Sequence, residues 1–371
     1  MPIQFETDRR IVMTLDAGGT NLKFSAIRGN QLLVGPISTP SEADDLDRCL
    51  GNIVKGFECV KQMLPESPAA ISFAFPGPAD YPLGIIGDLG NLPGFRGGVP
   101  LGPILEESFG IPVFINNDGD LFAYGEAIAG FLPWLNGLLA EAGSPKRFRN
   151  LFGATFGTGF GGGIVQDGRL WLGDNSAGGE IWLLRNKIDP RSNIEESVSI
   201  RAIRRVYAER AGLAFEATPE PKLIFAIGNG DAPGDRAAAR EAFRRMGEAA
   251  GDALANAVTL IDAPVVIGGG LTGAAELFLP ALVAEMNSGY GDSPWGHQPR
   301  LETRAFNLED AAERAAFVKG AAREIVVPGS QRSVAYDPLQ RIGVGLSRLG
   351  TSKAVAIGAY AFALSALDGL G

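Results

Sequence analysis

Two stretches of this chain follow one design, and that repeat constrains the fold more than any other feature. Residues 11–28, IVMTLDAGGTNLKFSAIR, run as an apolar segment to Asp16, turn through Ala17-Gly18-Gly19-Thr20-Asn21, and return with alternating character over 22–27. Residues 150–172, NLFGATFGTGFGGGIVQDGRLWL, repeat the plan: an apolar strand, a Gly157-Thr158-Gly159 turn, then apolar strands over 163–165 and 169–172. Extended runs joined by a glycine-rich turn form a β-hairpin, and self-similarity within a chain marks a duplicated unit. Glycines let successive N–H groups converge into a concavity of donors that suits a phosphate. Asp16, at the end of its strand, adds a carboxylate for a hydrated Mg²⁺, with the Thr20 hydroxyl and the Lys23 cation close in sequence.

The segments between the hairpins set the fold class. A helix is expected over 41–63, a short strand over 69–75 closed by Pro76-Gly77-Pro78, and a loop around Asn91 in GIIGDLGNLPGF. A helix over 101–109 and a strand over 112–115 follow; the strand stops at Asn116-Asn117-Asp118-Gly119-Asp120, ahead of a helix over 121–129. This β-β-α-β-α-β-α order is that of an α/β protein. Binding groups in such folds collect at the carboxyl ends of strands, so Asp16, Pro76 and Asp118 are expected at one site. Asp118 or Asp120 could equally cap the helix that follows. Further on, a helix over 235–260 leads to a strand over 264–267, Gly268-Gly269-Gly270 and a helix to residue 286, an unobstructed approach for a nucleotide. Residues 287–350 carry no clear pattern and are expected to be largely an insertion.

Bulk properties narrow the function classes. The chain has 371 residues, 46% of them hydrophobic, enough for two domains with full cores. A net charge of −9 argues against a nucleic-acid or anionic-membrane surface, either of which needs a basic footprint. Cys49 and Cys59 are the only cysteines and fall on one expected helix, so neither a disulfide framework nor a zinc site is implied and a cytoplasmic setting fits. The opening MPIQFETDRR has no apolar core of a secretory leader, and the apolar tract over 354–367 is too short to span a bilayer. His297 is the only histidine, so a carboxylate is the expected proton acceptor. Gly157 to Gly162 satisfies G-x-G-x-x-G, but a strand rather than a helix follows, which rejects the dinucleotide fingerprint; no Walker A loop is present either.

Taken in order, DAGGTNLK, NNDGD, GTGFGGGIV and VVIGGGLTGAAELFL resemble the ROK family of sugar kinases within the actin-like ATPase superfamily, and GLSRLGTSKAVAIGAYAFAL resembles that family's closing segment. The resemblance implies two actin-like (ribonuclease H-like) α/β domains with ATP and sugar in the cleft between them. The first would span 1–118, completed by a terminal helix over 352–371, and the second 119–351. Carried over by position, Asp16, Gly18, Gly19, Thr20 and Lys23 match the first phosphate loop, with Asp16 holding Mg²⁺ through water. Thr158 and Gly159 match the second loop, and Gly269 and Gly270 the adenosine loop. Asn117 and Asp118 match the Asn-Asp pair whose Asp is the catalytic base, while Asn91, Glu180 and Glu195 fall at sugar-contacting positions. The implied reaction is transfer of the γ-phosphoryl of ATP to a hexose hydroxyl, the 6-hydroxyl foremost, as in glucokinases and fructokinases. The chain departs from the family at Trp182-Leu183, which replace Gly-His, and at RNKIDPRSN, which lacks the cysteines of a zinc segment. No zinc is therefore expected, and a catalytically weak sugar-binding or sensing protein is the alternative; a partner-driven actin-like ATPase would hydrolyse ATP without sugar. Neither the sugar nor the formation of a homodimer follows from these residues.

Overall fold

The computed structural model describes residues 5–18, 20–90, 92–293 and 296–369, except the side chains at 292, 293 and 297. Strand β1 (Val12–Ala17) pairs antiparallel with β2 (Asn21–Arg28) and parallel with β4 (Ala70–Ala74). Being central, it is covered on both faces, and for that reason its sequence is a continuous apolar run. β2 alternates instead: Leu22, Phe24 and Ala26 are buried while Asn21 and Lys23 are exposed. β3 (Gln31–Pro40) adds an edge strand that the sequence did not announce, because Pro36 and Pro40 weaken a strand signal yet are tolerated where one side of the strand needs no partner. Helix α1 (Leu46–Gln62) starts later than expected, at an Asp45 cap that accepts the Arg48 N–H. The short pair β5 (Ala79–Asp80) and β6 (Ile85–Ile86), α2 (Leu101–Phe109) and β7 (Val113–Asn116) complete a five-stranded sheet of order β3-β2-β1-β4-β7 and its surroundings. Phe24, Phe57, Phe73 and Phe75 fill the core on its α1 side.

Helices α3 (Asp118–Ala129) and α4 (Phe131–Glu141) precede β8 (Leu151–Phe156), β9 (Phe160–Gln166) and β10 (Arg169–Trp171). Two helices not read from the sequence, α5 (Ile200–Ala211) and α6 (Pro221–Asn229), precede α7 (Arg236–Ile261), which matches the helix expected over 235–260, and then come β11 (Val265–Gly268) and α8 (Ala275–Met286). The second sheet has the order β10-β9-β8-β11-β17-β14, with β8, β11, β17 (Arg341–Leu346) and β14 (Arg304–Asn307) parallel. Both sheets thus run from an antiparallel three-strand edge into parallel strands, the architecture of a mixed α/β protein with a duplicated plan.

Residues 287–350 are only partly an insertion. The hairpins β12 (Gly289–Ser293) with β13 (Gly296–Pro299), and β15 (Arg323–Val326) with β16 (Ser333–Tyr336), stand apart as two-stranded ribbons, with α9 (Ala311–Lys319) between them in sequence. β14 and β17, however, are members of the main sheet. β17 escaped notice because it opens on Arg341, a residue only 1% exposed, whose guanidinium donates to the Phe317 carbonyl at 2.6 Å and to Asp337 at 2.6 Å. His297 lies on β13, not in a loop.

The contacts divide the chain into two units: residues 1–132, 163–179 and 348–371, and residues 133–162 and 180–347. The first does not stop at 118, because α3 packs on the terminal helix α10 (Thr351–Leu367) within that unit. The two helices approach backbone to backbone. A Cβ at Gly125 would lie 1.9 Å from the Ala354 carbonyl oxygen, and one at Gly358 1.9 Å from that of Leu121; the Tyr124 and Ser365 hydroxyls are hydrogen-bonded at 3.0 Å. In the second unit, α7 meets α8 in the same way, through Gly247 against the Phe278 carbonyl and Gly251 against that of Leu282. Gly358→Ala is therefore expected to cost about 2–3 kcal/mol through overpacking. Gly51→Ala in α1, where nothing lies within 4 Å of the added carbon, should instead stabilise by about 0.5–1 kcal/mol. Thermal melting of the two variants checks this contrast.

Candidate functional site

In the first unit the carboxyl ends of the parallel strands β1, β4 and β7 bring their following residues to one place. Asp16, Ala17, Phe75, Pro76, Gly77, Asn117 and Asp118 line a cavity of about 800 Å³, together with Lys23 and the first turns of α10. Each contributor is held locally. The Tyr81 hydroxyl donates to the Phe75 carbonyl at 3.0 Å and fixes the loop after β4. The Gly18 N–H donates to the Asn21 carbonyl at 3.0 Å and closes the first glycine turn, where a Cβ at Gly18 would meet that same oxygen at 2.8 Å. Asp16 and Lys23 are register partners across β1 and β2, both exposed; Thr20 is exposed in the turn, outside the cavity lining. Gly19 and Asn91 lie outside the described residues. On either side of Asn91, the loop is closed by Leu89 N–H to the Phe95 carbonyl at 3.3 Å and by Gly97 N–H to Asp88 at 2.7 Å.

The cap of α3 is Asn117, not Asp118 or Asp120: its Oδ1 accepts the Gly119 N–H at 2.7 Å, and Asp118 is the first helical residue. Asp118 shares that donor at 2.8 Å. Its side chain is exposed to the cavity, yet the concave wall of protein around it desolvates the carboxylate and raises its pKa above the usual 3.8; the backbone hydrogen bonds from Gly119 and from Asp118 itself act in the opposite sense. A solvent-accessible carboxyl that holds its proton more tightly than usual is a better general base than an ordinary aspartate.

In the second unit, taken by itself, the Gly157-Thr158-Gly159 turn joins β8 to β9. Gly157 N–H closes it on the Gly159 carbonyl at 3.0 Å. Thr158 is exposed. Beyond β11, Gly269 adopts φ +92°, and a Cβ there would fall 2.2 Å from the Phe156 carbonyl oxygen, so only glycine fits. Gly270 has nothing within 4 Å of such a carbon, which leaves the backbone open to a ligand before the 3-10 turn Thr272–Ala274 and α8. Glu180 precedes the 3-10 turn Ile181–Leu183 and accepts the Trp182 indole N–H. Glu195 lies in the 3-10 turn Ile194–Glu196; its Oε2 accepts the Phe160 N–H at 2.9 Å and its Oε1 the Arg201 guanidinium at 2.9 Å.

Two residues that sequence reasoning missed organise this second half. Asn186 is buried: its amide donates to the Ser192 and Ser197 hydroxyls at 3.1 and 2.8 Å and its carbonyl accepts the Ile188 N–H at 3.0 Å. It thereby ties together the loop that carries Glu195. Arg201, near the start of α5, reaches Glu195, Glu196 and the Thr158 carbonyl. Neither position belongs to a motif: most of their partners are near in sequence but at no helical or strand spacing, and only the Thr158 carbonyl is brought to Arg201 from afar. Among the described residues, no three His, Cys, Asp or Glu side chains converge as metal ligands. A hydrated Mg²⁺ needs fewer: one carboxylate, with water and phosphate oxygens completing its octahedron, and the exposed Asp16 fits that requirement.

Comparison with known proteins agrees with the duplicated architecture. A crystal structure of glucokinase from Parabacteroides distasonis is 56% identical and superposes with a TM-score of 0.89, covering 98% of this chain and 99% of that one. N-acetyl-D-glucosamine kinase from Photobacterium profundum is 29% identical over 290 residues, 73% of this chain and 88% of that protein. Glucokinase from Streptomyces coelicolor is 25% identical over 292 residues, 72% of this chain and 84% of that protein. The ROK family model matches residues 12–317, most of the chain, and the protein belongs to the ROK family.

Proposed function

We propose that this protein is an ATP-dependent sugar kinase that transfers the γ-phosphoryl group to the 6-hydroxyl of a hexose of the glucose type. The carrying observation is Asp118: a carboxylate of raised pKa, open to a cavity that also holds Asp16 and Lys23. The glucokinase and N-acetyl-D-glucosamine kinase relatives support the substrate class.

In this reading Asp118 accepts the proton of the sugar hydroxyl as its oxygen attacks the γ-phosphorus and the bond to the bridging oxygen of ADP breaks. Asn117, by capping α3 on Gly119, keeps the base at the end of β7. The glycine turns at Gly18 and at Thr158-Gly159 offer backbone donors to phosphate oxygens, and Gly269 and Gly270 leave room for the adenosine. Asp16 would hold Mg²⁺ through water, and the ion would supply charge neutralisation at the phosphate oxygens. Most of the rate enhancement in such a transfer comes from alignment and charge neutralisation rather than covalent participation. Glu180 and Glu195 are the proposed sugar-contacting carboxylates. Trp182, where the family has glycine, engages Glu180 through its indole N–H and so alters the sugar pocket. That contact favours the second reading, a sugar-binding protein of low turnover, which would bind hexose without consuming ATP.

Asp118→Asn is expected to lower kcat by 10²-fold or more while hexose binding, followed by calorimetry, stays within a few-fold of wild type; near-normal turnover in that variant would remove Asp118 from the mechanism. The base works only when ionised, so kcat/KM of the wild type should fall as pH drops through the raised pKa, with its acid limb above the usual carboxylate value of 3.8. Linkage gives the companion sign: a carboxyl with a raised folded-state pKa disfavours the fold once ionised. The Asn variant should therefore melt no lower than wild type at neutral pH.

A further inference from the structure

We infer that Arg201 is a positioning residue that couples the sugar-side carboxylate Glu195 to the Gly157-Thr158-Gly159 phosphate turn; this rests on the kinase reading above. The segment from Glu195 to Arg201 holds the turn at three points. Glu195 Oε2 accepts the Phe160 N–H at 2.9 Å, Ile200 N–H donates to the Gly157 carbonyl at 2.9 Å, and Arg201 Nη1 donates to the Thr158 carbonyl at 3.4 Å. Through Nη2, the same guanidinium holds Glu195 Oε1 at 2.9 Å and Glu196 at 2.7 Å. No slack separates carboxylate and turn: a Cβ at Gly159 would lie 2.4 Å from Glu195 Oε2, so the absence of a side chain there lets Glu195 pack directly beneath the backbone.

This geometry has a functional consequence. A carboxylate has about four acceptor positions, and here two ligands already use both of its oxygens. A sugar hydroxyl that donates to Glu195 takes one of the remaining positions and so shares the carboxylate with the Phe160 N–H and the Arg201 fork, both of which also set the position of the turn. Arg201 suits this task because its planar fork engages a carboxylate and a carbonyl at once, which a lysine ammonium cannot do with the same rigidity. Arg201 is partly exposed, so its contribution lies in geometry more than in ion-pair strength. Sugar occupancy at Glu195 is thereby transmitted to the donors that receive the phosphates, and by reciprocity nucleotide binding tightens the sugar site.

The test is the affinity of the full-length protein for a non-hydrolysable ATP analogue, with Mg²⁺, measured with and without a saturating hexose that the wild type phosphorylates. Sugar is expected to tighten analogue binding by about fivefold or more in the wild type. In Arg201→Met the ratio should fall to near one, Arg201→Lys should restore part of it, and Glu196→Gln, which removes the other ion pair of Arg201, should keep it. Melting temperatures establish that each variant is folded. A wild type without coupling, an Arg201→Met protein with the wild-type ratio, or equal loss of coupling in Glu196→Gln would each overturn the inference. Failure of the kinase reading looks different: the wild type would show no sugar-dependent ATP consumption at all.

Discussion

The close approach of α3 to α10 is the contact on which the site of the first unit depends. Gly125 and Gly358 let two helices pack with backbone against backbone, and α10 in turn packs on β4, β1 and β7 of the five-stranded sheet. The amino end of α3 is thereby held where β7 delivers it, and Asp118 stands at that end. On the other side, Gly163 in β9 allows the same close contact, since a Cβ there would meet the Gly119 carbonyl at 2.6 Å. Protein interiors resist the shift that an added methyl group would demand, so placement of Asp118 is a property of the packing rather than of its own loop. Its raised pKa has the same origin, because the concave surroundings that fix Asp118 also strip part of its hydration.

The second unit solves a different problem with other means. Its glycine turn is held from behind by the residues from Glu195 to Arg201. The loop that carries Glu195 is in turn organised by the buried amide of Asn186, which satisfies two serine hydroxyls and a backbone N–H. Hydrogen bonds to a single buried amide are enough to give this loop a defined path, at a modest net stabilisation for each bond but a cost of about 1–3 kcal/mol for every partner left unsatisfied.

What was legible in the sequence follows from how local each signal is. The β1–β2 hairpin, the strand before Asn117 and the glycine run after β11 were readable because alternation, apolar runs and glycine turns are encoded by adjacent residues. β3 was missed since its prolines contradict strand propensity and only its edge position makes them tolerable. β17 was missed because a buried arginine looks like a surface residue until Phe317 and Asp337 are folded against it. Asp16, Asp118, Glu180 and Glu195 were singled out by motif order alone, whereas Arg201 and Asn186 belong to no motif and stand out only through the hydrogen bonds they make in the folded loop. Asn117 was recognised as part of a pair, but its capping role emerged only with the true start of α3 at Asp118.

The proposal that Asp118 accepts the proton of a sugar hydroxyl while phosphate moves from ATP to its oxygen is open to a direct test. The most direct measurement supplies ATP labelled in its γ-phosphate, Mg²⁺ and a panel of hexoses and amino sugars, and follows the label by phosphorus NMR. A sugar 6-phosphate is expected as the labelled product, formed only when sugar is present. Label that appears solely as inorganic phosphate, at the same rate with and without sugar, would contradict it.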